Sequence, residues 1–185
     1  MENNKNMIEI KHRLTGEVLF ACDKEGYTLK DVVEEAVKLG ASLNGASLNY
    51  ASLEGASLKG ANLYGASLEG ANNIPYIALA CPSHGAFIGW KKVADKLIQL
   101  EIPADAKRSS ATSRKCRCDR AKVLAITSLD ETQSFESLIN RSYAPTTYKV
   151  DEVVYPDSFD DNRWVECSHG IHFFINKQDA IDYNG

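Results

Sequence analysis

Long apolar runs are missing from this 185-residue chain, and no stretch of eighteen apolar residues occurs in it, so no membrane-spanning helix is expected. The opening MENNKNMIEIKHR has no apolar core either, so no signal peptide is expected. Strong charge of one sign is also absent: the net charge of −4 is too mild to imply a nucleic-acid binder or an acidic tail. Recognised catalytic signatures are lacking: there is no nucleophile elbow, Walker loop, dinucleotide fingerprint or H-E-x-x-H. Asp157, Asp160 and Asp161 lack calcium-loop spacing and are expected on a solvated loop. The five cysteines are an odd number without an export signal, which predicts reduced thiols in a cytoplasmic protein. The composition that remains, 25% charged and 44% hydrophobic, is ordinary for a globular chain long enough for one domain or two small ones.

One regularity dominates. Residues 41–73 read in fives as ASLNG, ASLNY, ASLEG, ASLKG, ANLYG, ASLEG and ANN. Leu43, Leu48, Leu53, Leu58, Leu63 and Leu68 recur at every fifth position, each two residues after an alanine. A five-residue step turns a helix by about 140°, scattering the leucines over every face. On a flat strand an odd step sends alternate leucines to opposite faces. A chain that turns a corner every five residues points them all inward, which predicts a β-solenoid.

This pattern closely resembles that of the pentapeptide-repeat family, Ala-(Asp/Asn)-Leu-X-X. The resemblance implies a right-handed four-sided β-helix with Leu at the axis, Ala in a neighbouring inward position, and Gly45, Gly55, Gly60, Gly65 and Gly70 at exposed corners. Six complete repeats make under two coils, so the ends need covering. The family's DNA mimicry is not expected here, because the outward positions carry Ser42, Ser47, Ser52, Ser57 and Ser67, with only Glu54 and Glu69 offset by Lys59.

Residues 1–40 predict a β-hairpin over 7–21, turning at Thr15-Gly16, and then a helix. Thr28 reads as its N-cap with Asp31 in a capping-box place, Leu29, Val32, Val33, Ala36 and Val37 form its apolar stripe, and Gly40 ends it. The helix is expected to cap the solenoid. Beyond the repeat (41–75), residues 76–185 predict an α+β domain. Its expected strands are 96–102, 122–126, 148–154 and 170–175, with a polar loop over 127–145 holding a short helix near 135–139, and a final helix over 177–183 capped by Asn176. GWKK (89–92), LEIPADAKRSSATSRKCRC (100–118) and ECSHGIHFF (166–174) resemble segments of phage, large-virus and bacterial proteins that join a pentapeptide stub to a domain of unassigned function.

Residues 107–122 concentrate seven cations, Lys107, Arg108, Arg114, Lys115, Arg117, Arg120 and Lys122, interleaved with Ser109, Ser110, Thr112 and Ser113. Cations with short hydroxyls are what a phosphate site needs. The expected ligand-binding set is Lys107, Arg108, Ser109, Ser110, Ser113, Arg114, Lys115 and Arg117, with Trp90 or Phe174 stacking on a base and His172 lining the pocket. A solvated loop whose charges pair with acids elsewhere is the plain alternative. Cys81 with His84, Cys116 with Cys118, and Cys167 with His169 have the residue types of a zinc site but no recognised finger spacing, and buried thiols are as good a reading. No cofactor is implied.

The expectation from these features is a non-enzymatic binding protein that holds a phosphate-bearing small molecule, a nucleotide by analogy with phage anti-defence sponges, in a homo-oligomer within the (host) cytoplasm. Two alternatives stay open. Ser110-Ala111-Thr112-Ser113 faintly resembles the hydroxyl segment of ADP-ribosyltransferases, which pair it with a catalytic Glu, and a short repeat platform also suits a protein–protein interaction module.

Overall fold

The computed structural model describes residues 7–58, 61–141 and 145–183, so Lys59 and Gly60 of the repeat lie outside the described residues. The chain divides into two compact units, Met1–Ala78 and Leu79–Gly185.

In the first unit β1 (Ile8–Lys11) and β2 (Val18–Cys22) pair antiparallel, and alternation turns Ile10 fully inward. Helix α1 (Leu29–Lys38) starts at a capping box: Asp31 N donates to Thr28 Oγ1, and Thr28 N donates to the Asp31 carboxylate at 2.8 Å. Its C-terminal carbonyls are taken by Leu39 N and Gly40 N, with Gly40 at φ +70. Val32, Val33 and Ala36 are buried, and burial of each valine contributes roughly 1.5–3 kcal/mol.

The expected β-solenoid is overturned. Residues 41–73 contain no β-strand among the described residues, only turns and isolated bridges, while the sheets of the protein are antiparallel. The reason is local. A turn at every fifth residue leaves too few extended residues for a ladder, so pairing stops at single bridges, Ser47 with Ser67 and Ser52 with Asn72. Backbone bonds join the same rows, Leu43 N to Asn62 O, Leu48 N to Ser67 O and Leu53 N to Asn72 O. Leu43, Leu48, Leu53, Leu63 and Leu68 are buried, whereas Leu58 is half-buried. The fifth position of a step takes the left-handed conformation in Gly45, Tyr50, Gly55, Gly65 and Gly70. Gly45 is buried rather than at an exposed corner: His12 packs so closely on it that a Cβ would stand 2.2 Å from the imidazole. Lys11 O and Gly45 O exchange bonds with Ser47 N and Arg13 N, so the hairpin strand continues onto the first repeats. On α1, the Glu34 carboxylate accepts from Ser57 N at 2.7 Å.

The second unit is mostly antiparallel sheet, not α+β. Its strands are β3 (Phe87–Val93), β4 (Lys96–Ile102), β5 (Arg108–Ser110), β6 (Lys115–Cys118), β7 (Ala121–Ser128), β8 (Ser137–Asn140), β9 (Thr146–Lys149), β10 (Val153–Val154) and β11 (Ile171–Phe174), followed by the six-residue α2 (Lys177–Asp182). Seven of them form one sheet in the order β10-β7-β4-β3-β11-β6-β5, and β8 pairs with β9. The helix expected near 135–139 is therefore strand, since alternate Leu138 and the exposed Ile139 pair with β9 instead of forming a helical stripe. The basic segment, for which no strand was expected before Lys122, holds β5 and β6. On one face Ile98, Leu100, Ile102, Val123, Ile171 and Phe173 form the core, and on the other Leu97 and Phe174 pack with Ala180 of α2. Gly89 lets Phe173 lie across β3, where a Cβ would meet the ring at 2.7 Å.

Candidate functional site

The strand pairing of β5 with β6 decides where the basic segment's side chains go. Ser109 and Ser110 are buried: Ser110 Oγ accepts from Ala80 N at 2.8 Å, and Ser109 Oγ has no partner among the described residues. Arg108 spends all five N–H groups on backbone carbonyls, those of Ala106, Pro82, Gly85, Pro103 and Ala104. Arg117 is 2% exposed and donates to the carbonyls of Asp160, Asn162 and Val165. Other cations meet carboxylates: Lys107 with Asp161, Arg114 with Asp179, Arg120 with Asp105 and Asp119, and Lys122 with Asp151. The tip 111–113 is tied down, with Thr112 N and Ser113 N donating to Glu166 and Arg163 Nε donating to Ser110 O. The structure thus gathers the expected binding residues along one hairpin without gathering their donors around a common point.

The thiols and imidazoles do not converge either, and among the described residues no group of three or more His, Cys, Asp or Glu could hold a metal ion. Cys81 and Cys116 hydrogen-bond each other within the core, an interaction that draws the Cys81 thiol down and pushes the Cys116 thiol up. Burial pushes Cys118 up to about 12. Cys167 is exposed, His84 Nδ1 bonds Ser83 Oγ, and His169 Nδ1 lies 3.0 Å from the Asp157 carboxylate.

A cleft of about 320 Å³ opens elsewhere in the same unit, within the size range of small-molecule sites. Strands β3 and β11 pair at one position, Phe174 with Trp90, and the cleft takes Lys91 from the first and Ile171 and His172 from the second. Lys91 Nζ donates to His172 O at 3.3 Å. Lys115 of β6 enters beside it, its Nζ 3.3 Å from Cys167 Sγ and 3.4 Å from the Tyr183 hydroxyl. Neither amine has a carboxylate partner among the described residues, and the one carboxylate in the lining, Asp157, is engaged with His169. Of the expected site residues the cleft therefore contains Lys115, His172, Cys167 and His169. Trp90, under Lys177 Nζ at 5.2 Å, and Phe174, tilted against the Tyr183 ring at 5.2 Å, do not line it.

Sequence reasoning missed Lys91. It shares a strand face with Phe87, Gly89 and Val93, and Phe87 and Val93 pack on the core. A lysine on the inward face of a strand is the signal that could have found it.

His172 Nε2 donates to Ser168 O at 2.9 Å, so Nδ1 is the site left to take a proton. Burial first, and then the charges of Lys115, Lys91 and Arg117, lower its pKa to about 4. The unfolded chain then takes up this proton near pH 6.5 while the folded chain refuses it until about 4, so stability falls as the pH drops through that window. Replacing His172 with Asn is expected to flatten the profile between these limits, as read by chemical denaturation at a series of pH values; an unchanged slope would assign it to other groups.

The fold and site define an architecture in which a short pentapeptide segment accompanies an antiparallel-sheet domain with a lysine-lined cleft. Residues 77–180 match the family of unknown function DUF5758, and the chain belongs to that family. Residues 40–72 match pentapeptide repeats (8 copies). Together these matches suggest a protein-interaction role, and neither supports a phage origin or a nucleotide ligand. No curated protein and no solved structure matches the chain. Among the described residues no helix is long and apolar enough to cross a membrane.

Proposed function

We propose that the protein is a binding module that holds a small anion, a phosphate or carboxylate compound, in the cleft between Lys91 and Lys115. The supporting observation is the pair of amines without a carboxylate partner among the described residues, in a lining whose single carboxylate is already engaged. Two like charges at one site are costly to keep together, and an anion between them removes that cost. The basic segment of the sequence enters this reading only through Lys115, since Arg108 and Arg117 are committed to carbonyls.

The test is thermal stabilisation by inorganic phosphate, simple carboxylates and a panel of mono-, di- and cyclic nucleotides. A ligand that binds the folded state alone stabilises it by RT times the logarithm of one plus the ratio of its free concentration to Kd, about 2.7 kcal/mol at a hundredfold excess over Kd. At least one anion is expected to raise the melting temperature, and Lys115→Gln is expected to remove the shift. Lys91 loses its charge above about pH 8, so the stabilisation should weaken above that pH. Silence from the whole panel, or full binding by Lys115→Gln, would overturn the site.

A further inference from the structure

The two amines of the cleft are not equivalent. Lys115 lies between a thiol and a phenol, with its Nζ 5.5 Å from the centre of the Tyr183 ring. Lys91 projects from the core-facing side of β3, and its one hydrogen bond among the described residues goes to a main-chain carbonyl. The groups around it come from every wall: Lys115 and Cys118 from β6, His172 from β11, Tyr148 from β9 and the Asp157–His169 pair from the loop before β11. None of these offers Lys91 a free negative charge. An amine that is half-buried, faces a second cation and borders an open cavity has the features of a nucleophilic lysine.

We infer that Lys91 condenses with the carbonyl carbon of a small anionic aldehyde or 2-oxo acid, forming an imine while Lys115 holds the anionic group. This rests on the proposed anion reading of the cleft and names its ligand class. The neutral amine attacks the carbonyl carbon, and the resulting carbinolamine loses its oxygen as water. Both amine hydrogens leave in that one water molecule, the C=O bond is exchanged for C=N, and no oxidant or reductant is consumed. Burial, followed by the repulsion of Lys115, brings the Lys91 pKa down to about 8, which supplies the neutral amine near physiological pH. Relative to an ordinary lysine at pH 7.5, that is on the order of a hundredfold more of the reactive form. His172, neutral above about pH 4, adds no charge to oppose the attack.

The experiment incubates the full chain with glyoxylate, adds borohydride and maps the resulting carboxymethyl-lysine by peptide mass spectrometry. The unsubstituted protein is expected to carry the label at Lys91 at least tenfold above any other lysine. The labelling rate should rise as the pH climbs from about 6.5 to 8, opposite in sign to anion stabilisation. Lys91→Arg should abolish it, and Lys115→Gln should slow it. Label spread evenly over the exposed lysines, or Lys91 left unmodified, overturns the inference. In that case stabilisation by inorganic phosphate that Lys115→Gln removes would leave the anion site standing. Absence of both signals would remove both. Mapping on the unsubstituted chain decides the matter even where a variant fails to fold.

Discussion

Replacing Arg117 with alanine is expected to destabilise the second unit by about 3–5 kcal/mol, the range for stripping a buried charged group from its partners. The guanidinium is 2% exposed, and its Nε and Nη groups reach the carbonyls of Asp160 at 3.3 and 3.0 Å, Val165 at 2.5 Å and Asn162 at 2.5 Å. Each hydrogen bond from a charged donor contributes about 1.5–3 kcal/mol, and its loss leaves an oxygen that water cannot easily reach. The Arg117 stem also packs under Gly170, where an added Cβ would stand 3.1 Å from Cδ. Lysine should restore little, because one ammonium cannot serve carbonyls that a planar fork reaches together. The consequence extends to the cleft, since Pro156, Asp157, Cys167, Ser168 and His169 of the loop held by Arg117 form part of its lining. Both tryptophans, Trp90 and Trp164, belong to this unit, so their fluorescence during guanidinium denaturation reads the effect directly. A variant within about half a kcal/mol of the parent, the usual span of surface substitutions, would show that these bonds do not hold the loop.

What the sequence made legible was what short-range chemistry decides. The Thr28–Asp31 capping box and the Asn176 cap of α2 depend on partners within three residues, and both form as the pattern predicts. Strand β4 coincides with the expected 96–102, because Leu97 to Ile102 is an uninterrupted apolar-rich run ended by Pro103. The five-residue period foretold which leucines are buried, Leu58 excepted, but not the architecture, because burial of a side chain does not require its backbone to build a ladder. Strand β3 was hidden by the Gly89 gap and by Lys91-Lys92, and strands β5 and β6 by their charge. The basic segment was hard to read for a related reason. Seven cations in sixteen positions look like an anion site until their partners are known, and those partners lie far along the chain: Arg117 meets residues 160–165, and Arg114 meets Asp179. Arginine suits such a place because its five donors can replace water around several carbonyls at once. The cleft was illegible on the same ground, being assembled from β3, β6, β9, β11 and the loop before β11.

Leu53→Ala is expected to destabilise the first unit by about 2–5 kcal/mol, the range for truncating a buried leucine. Leu53 is fully buried, its neighbours Leu48, Ala51 and Leu68 are at most 4% exposed, and its amide donates to Asn72 O at 3.1 Å. Truncation removes three carbons from a place that cannot collapse easily. The backbone on both sides is fixed by turns, with Tyr50 and Gly55 held in left-handed conformations at φ 59 and 67. Strain at Tyr50 sharpens the expectation, since a tyrosine stands where neighbouring steps use glycine, and its ring closes over Gly70 so tightly that a Cβ there would meet it at 2.4 Å. A segment joined to its neighbours by isolated bridges has little sheet pairing in reserve, so the loss of apolar contact falls on the whole row. Both tryptophans lie outside this unit, so the measurement is hydrogen exchange of peptides from residues 41–58 and 61–73, where protection of the Leu43, Leu48 and Leu53 amides should fall by two to three powers of ten, about 3–4 kcal/mol at 1.4 kcal/mol per tenfold change. Leu58→Ala, at a half-buried position, should cost less. If Leu53→Ala leaves exchange across these peptides unchanged, the leucine row is not what holds the repeat together, and the bridges and the pairing with the β1 hairpin must carry it instead.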